Sequence, residues 1–164
     1  QLESHPEIKI LLLNHPCNPT GVTYSREELE ALANVARQYD LMIVSDEIYS
    51  ELTYSDNHVS MAELAPERTI LINGTSKFYA MTGWRSCFIA GPKDYLSQIF
   101  KVHQATVNTP PSVSQYGSIA AYHSGDDSIH EMRQAYDQRR QFLKNKFAYK
   151  YYTTVAIVIF TSLG

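Results

Sequence analysis

The sequence predicts an α/β fold built on a mostly parallel sheet with flanking helices. Short, nearly all-apolar runs recur along the chain, and runs of that kind form strands buried on both faces of a parallel sheet. They alternate with segments of helical periodicity through roughly the first hundred residues, the pattern of layered α/β domains. Each run also ends on polar or Gly/Pro-bearing residues, and in open α/β sheets ligands gather off those carboxyl ends.

The elements follow in order. Glu7 to Leu13 (EIKILLL) reads as a first strand that stops at the proline-rich turn Asn14 to Gly21. Ser25 stands three residues before Glu28, a capping-box signature, and opens a helix with Leu29, Leu32, Ala33 and Ala36 on one face, ending near Tyr39. Leu41 to Ser45 (LMIVS) is a second strand ending directly on Asp46 and Glu47. Thr69 to Asn73 (TILIN) is a third, ending on Gly74-Thr75-Ser76-Lys77, and Ser86 to Ala90 (SCFIA) is a fourth, before Gly91-Pro92. Helical patterns follow from Lys93 to about Gln104, from Ser112 to His123 and from about Ser128 to Phe147, the last two separated by Gly125-Asp126-Asp127.

Composition excludes several classes. At 164 residues, 44% hydrophobic and 19% charged, the chain has the makeup of one ordinary globular domain. A formal net charge of -3 argues against a nucleic-acid-binding or polybasic membrane surface. Two cysteines, Cys17 and Cys87, are too few for a disulfide framework; both read as packing thiols, and a cytoplasmic location is expected. No signal-peptide pattern is visible. The longest apolar run, Val155 to Phe160, is far short of the roughly 20 residues a membrane span needs. The six histidines are scattered, with no His-x-x-x-His or Cys-x-x-Cys spacing, so no metal site is expected.

Four polar residues sit just past predicted strand ends: Asn18, Asp46, Tyr49 and Lys77. Lys77 is either an ordinary surface lysine or, with Phe78 and Tyr79 close behind, a desolvated amine of lowered pKa able to form a Schiff base. Asp46 and Glu47, as neighbours at a strand end, face opposite ways and make a poor acid/base pair. Asp46 equally suits the N-cap of a helical segment starting Glu47-Ile48-Tyr49, which would put Tyr49 on the same side. Tyr49 itself reads also as a half-buried packing tyrosine.

Taken together, Asn14-His15-Pro16-Cys17-Asn18-Pro19-Thr20-Gly21, Ser45-Asp46-Glu47-Ile48-Tyr49, Ser76-Lys77 and Met81-Thr82-Gly83-Trp84-Arg85 resemble, in order and interval, a fold-type I aminotransferase of class I/II. The subgroup they resemble most includes bacterial aspartate, aromatic and acetyl-diaminopimelate aminotransferases. The resemblance implies the large-domain fold of pyridoxal phosphate (PLP)-dependent transferases. It also implies a transaminase that moves an amino group between an amino acid of aspartate or aromatic type and a 2-oxo acid. Lys77 would hold PLP covalently and later shuttle a proton between substrate and cofactor. Asp46 would pair with the pyridine nitrogen. Asn18 and Tyr49 would hydrogen-bond the ring's 3′ oxygen, and Arg85 would bind the phosphate.

The same resemblance sets limits. Many members of the family carry a serine three residues before the lysine; this chain has Gly74. Residues 1–147 are expected to form part of the PLP-binding large domain of a longer enzyme, cut at both ends and homodimeric in its full-length parent. Residues 148–164, β-prone and low in charge, depart from the family and are expected to be a divergent or frameshifted tail. The truncated chain alone would have weak activity or none. A carbon–sulfur lyase and a PLP-binding effector domain of a transcriptional regulator are the alternatives on the same fold.

Overall fold

Ser25 begins the first helix as its spacing predicts. In the computed structural model, which describes residues 2–54 and 58–147, its hydroxyl accepts from the Glu28 amide at 3.2 Å. The Glu28 carboxylate accepts from the Ser25 amide in return at 2.8 Å, completing a capping box. Helix α1 (Arg26–Gln38) carries Glu27 and Glu28 in its first turn and Arg37 in its last, matching the helix dipole. It buries Leu29, Ala33 and Ala36, the stripe seen in the sequence.

Four strands form one sheet in the order β1 (Ile10–Asn14), β2 (Met42–Asp46), β3 (Thr69–Gly74), β4 (Cys87–Ala90). The first three are parallel and β4 runs antiparallel to β3. Asn14 pairs with Asp46 and Asp46 with Ile72, so the carboxyl ends of the three parallel strands lie side by side. The crossovers are α1 and the short α2 (Met61–Leu64). Leu29, Ala33 and Ala36 of α1 and Met61 of α2 pack with Leu13 and Ile43 into the main core. Burying such side chains is worth about 1.5–3 kcal/mol for each large one.

The expectation that the apolar runs are buried on both faces is corrected at the sheet's edges. Ile10 and Leu12 are 58% and 73% exposed, and every residue of β4 is exposed. The reason is coverage. The α1–α2 layer lies on one face only, while on the other α3 (Lys93–Thr106) leaves a cavity of about 630 Å³ lined by its Tyr95 and Ile99 and by Met42, Val44 and Ile70. Cys87 is accordingly exposed rather than packed, whereas Cys17 is half-buried.

Helices α4 (Ser112–Ser124) and α5 (Asp126–Phe147) complete the described chain. A second apolar cluster joins Tyr49, Leu52 and Phe78 to Ile129, Met132 and Tyr136 of α5. Gly117 of α4 is needed for close approach, since a Cβ there would lie 2.5 Å from the Trp84 ring. The expected tail at 148–164 falls outside the described residues. No helix among the described residues is long and apolar enough to cross a membrane.

Candidate active site

Three parallel strands deliver the candidate residues to one end of the sheet. The segment leaving β1 carries Asn18, β2 ends on Asp46 with Tyr49 just beyond, and Lys77 follows β3 by three residues. The Asn18 side-chain amide donates to the Tyr49 hydroxyl at 3.2 Å. The Lys77 ammonium nitrogen stands 5.7 Å from the centre of the Tyr49 ring, within cation–π range. Tyr49 is buried, Lys77 half-buried and Asn18 exposed, so the cluster grades from core to surface.

The Glu47-Ile48-Tyr49 segment is a turn leading into a 3-10 helix at Ser50–Leu52, and not the start of an α-helix. Asp46 still caps it, since its Oδ1 accepts from the Ile48 amide at 3.2 Å. Its other carboxylate oxygen has no hydrogen bond among the described residues, which leaves it available to a ligand's donor. A local cap and a ligand contact are thus compatible in one side chain.

Lys77 begins a tight turn in which the Ala80 amide donates to the Lys77 carbonyl at 3.2 Å. Two non-glycine residues close to it adopt left-handed backbone, Ala80 at φ 53° and Arg85 at φ 55°. Such conformations are costly and concentrate at functional sites. Arg85 is exposed and donates to the Thr82 carbonyl at 3.0 Å. Among the described residues no hydrogen bond, ion pair or ring contact joins it to Asn18, Asp46, Tyr49 or Lys77, so four of the five candidates lie at the strand ends and Arg85 stands on the loop beside them.

Gly74 has a structural reason. It pairs with Cys87 in the antiparallel ladder, and a Cβ at this position would sit 2.6 Å from the Cys87 Cα. A serine therefore cannot enter without moving the β4 backbone.

Behind the strand ends lies a polar cluster that sequence reasoning did not single out. Glu47 is 1% exposed, and its carboxylate accepts from the Ser45 hydroxyl (2.9 Å), the Ser60 hydroxyl (3.1 Å), the Met61 amide (3.0 Å) and His58 Nε2 (2.7 Å). Burial alone would raise its pKa. The hydrogen bond and charge of His58, with the Met61 amide, outweigh this and hold it below the ordinary carboxylate value. His58 stacks on His15, with ring centres 4.6 Å apart. His15 accepts from the Tyr24 amide at Nδ1 (3.2 Å) and bonds the Val59 carbonyl through Nε2 (3.2 Å), a pattern that only the neutral ring satisfies. Its pKa is pushed down by burial first and by His58 second. The adjacency of Glu47 to Asp46 was visible in the sequence; nothing in it linked Glu47 to a histidine eleven residues on.

The Aminotransferase class I and II family model matches residues 1–161. An aspartate aminotransferase of Geobacillus stearothermophilus is 44% identical over 145 residues, covering 86% of this chain and 37% of that relative. A probable N-acetyl-LL-diaminopimelate aminotransferase of Bacillus subtilis is 43% identical over 141 residues, covering 86% and 36%. Among solved structures, a double mutant of Thermus thermophilus aspartate aminotransferase superposes with a TM-score of 0.82 at 38% identity, covering 85% of this chain and 37% of that one. The aromatic aminotransferase of Pyrococcus horikoshii OT3 superposes at 0.83 with 35% identity, covering 90% and 41%. The chain thus spans a little over a third of the length of the curated relatives it matches. With most of its length matched by the family model, and with its backbone superposing on solved aminotransferases, this chain belongs to the class I and II aminotransferases.

Proposed function

We propose that the chain is part of a PLP-dependent transaminase that moves an amino group between an amino acid of aspartate or aromatic type and a 2-oxo acid. The observation that carries this is the Lys77 amine. It is half-buried at the end of a parallel strand, faces the Tyr49 ring at 5.7 Å, and has no hydrogen-bond acceptor among the described residues.

The side chains present fit PLP by their chemistry. An amine, a carboxylate with a spare oxygen, a phenol–amide pair and a guanidinium match the cofactor's aldehyde, ring nitrogen, ring oxygen and phosphate respectively. When bound, the cofactor supplies an electron sink for the bonds at the substrate's α-carbon. Lys77 Nζ anchors the cofactor and carries the proton to and from that carbon. The Asp46 carboxylate keeps a proton on the ring nitrogen. The Asn18 amide and Tyr49 hydroxyl, already bonded to each other, orient the ring oxygen. Arg85 brings a cation to the phosphate, within the loop whose backbone is held left-handed. Residues 1–147 are, on this proposal, part of the PLP-binding large domain of a homodimeric parent, and amino and oxo acids are its small-molecule partners.

The direct test is to add PLP to the purified chain, reduce with borohydride, and locate the modified residue by mass spectrometry. Modification at Lys77, lost in Lys77→Ala, is expected. Labelling that survives Lys77→Ala would overturn the assignment. In the full-length parent, amino transfer to 2-oxoglutarate without ammonia release separates a transaminase from a carbon–sulfur lyase.

A further inference from the structure

The Glu47 carboxylate uses four donors, yet it belongs to the residue next to Asp46. Its own amide donates to the Ile72 carbonyl of β3 at 2.9 Å, and the Asp46 carbonyl accepts from the His15 amide at 3.0 Å. The β2 exit is therefore tied to β3 on one side and β1 on the other, with the Glu47 side chain pinned beneath it. His58 is bonded to Glu47 and stacked on His15, and His15 lies three residues before Asn18. One histidine thus bridges the two segments that present Asp46, Tyr49 and Asn18.

We propose that Glu47 and His58, with His15 stacked behind them, form a positioning device for the Asp46 carboxylate and the Asn18–Tyr49 pair. This rests on the function proposed above. A buried ion pair is weak evidence for stability by itself, because desolvation offsets much of its Coulomb attraction. Its best-supported use is to fix one geometry, and here that geometry lies one peptide from the carboxylate that must meet the ring nitrogen. The Glu47 side chain reaches the start of α2 through Ser60 and Met61, so the β2 exit is braced against a structural element as well as a loop. Cofactor sites depend on such support, since small displacements of positioning groups are costly. The charged and titratable groups around the pair are His15, stacked on His58, and Glu51 and Arg133, which line the cavity of about 380 Å³ beside it.

The test compares the chain with His58→Ala, His58→Gln and Glu47→Gln. The readouts are PLP dissociation constant, the pH midpoint of the visible band of bound cofactor, and melting temperature. His58→Ala is expected to weaken PLP binding about tenfold and to move the pH midpoint, because the carboxylate that holds the ring proton is no longer held. His58→Gln, which keeps a donor near the position of Nε2, is expected to recover most of both. Should His58→Ala fail to fold, the near-isosteric Glu47→Gln carries the test and is expected to shift the midpoint. A lowered melting temperature with unchanged affinity and midpoint would show a purely structural pair and overturn the proposal. In that case the Lys77-dependent band persists in every variant, whereas failure of the proposed function removes it from the unaltered chain.

Discussion

The Asn18 amide and the Tyr49 hydroxyl meet at 3.2 Å, joining the segment after β1 to the segment after β2. Tyr49 is 5% exposed and its ring also faces the Lys77 amine, so this bond connects the surface of the site to its core. Removing the hydroxyl in Tyr49→Phe should destabilise the chain by about 0.5–1.5 kcal/mol, and Asn18→Ala should lie at the low end of that range because Asn18 is exposed. The two losses should not add. A double-mutant cycle in urea should return a coupling of about 0.5 kcal/mol or more, and strict additivity would show that the bond contributes nothing.

The chain's glycines should separate by what surrounds them. At Gly74 a Cβ would lie 2.6 Å from backbone that cannot rotate away, so Gly74→Ser should cost about 1–3 kcal/mol. It should not add a phosphate ligand, because β4 must shift to admit it. At Gly83 a Cβ would meet nothing within 4 Å, and Gly83→Ala should change stability by less than about 0.5 kcal/mol. Equal effects in denaturant melts would contradict the β3–β4 register.

Trp84 is the sole tryptophan and lies against Gly117 of α4, one residue before Arg85. The Ser118–Ser86 hydroxyl contact at 2.8 Å holds the same loop from its other end. Gly117→Ala would place a carbon 2.5 Å from the indole and expel it. The tryptophan emission should move to longer wavelength, and, on the proposed role of Arg85, the affinity for PLP should fall as that residue is displaced. Unchanged emission would mean that the indole does not rest on α4.

Much of this was legible in the sequence because it is local. Ser25 and Glu28 specify a cap within one turn, and the strands end within one residue of where the sequence patterns change. Asn18, Asp46, Tyr49 and Lys77 were recognisable because each sits at a short, fixed offset from a strand end. Illegible features were those that need two distant segments to meet. The exposure of Leu12 depends on which helices cover the sheet, and the Glu47–His58–His15 cluster depends on α2 turning back over β2. Gly74 stood out as a departure, but its cause lies in Cys87 on another strand.

That buried cluster gives the chain a two-step response to acid. His15 has an ordinary value of 6.5, which burial lowers in the folded state. As pH falls below about 6.5 the unfolded chain takes up a proton that the folded chain refuses, so stability is lost until the lowered value is passed. Glu47 starts from 4.5 and is also lowered when folded, chiefly because His58 and the Met61 amide overcome its desolvation. Its contribution is complete above about 4.5 and declines as pH falls through the folded value. Both slopes have the same sign, with stability rising with pH, and the losses set in at different points, that of His15 below about 6.5 and that of Glu47 below about 4.5. The midpoint of urea unfolding followed from pH 8 to 3, a range of about five units that includes both onsets, should therefore fall in two stages. His15→Gln, which keeps a donor toward the Val59 carbonyl, should abolish the upper stage and leave the lower one. Glu47→Ala should remove the lower stage and lower stability at neutral pH by about 3 kcal/mol, because it strands the donors that surround the carboxylate. An upper stage that persists in His15→Gln would place the titrating group elsewhere.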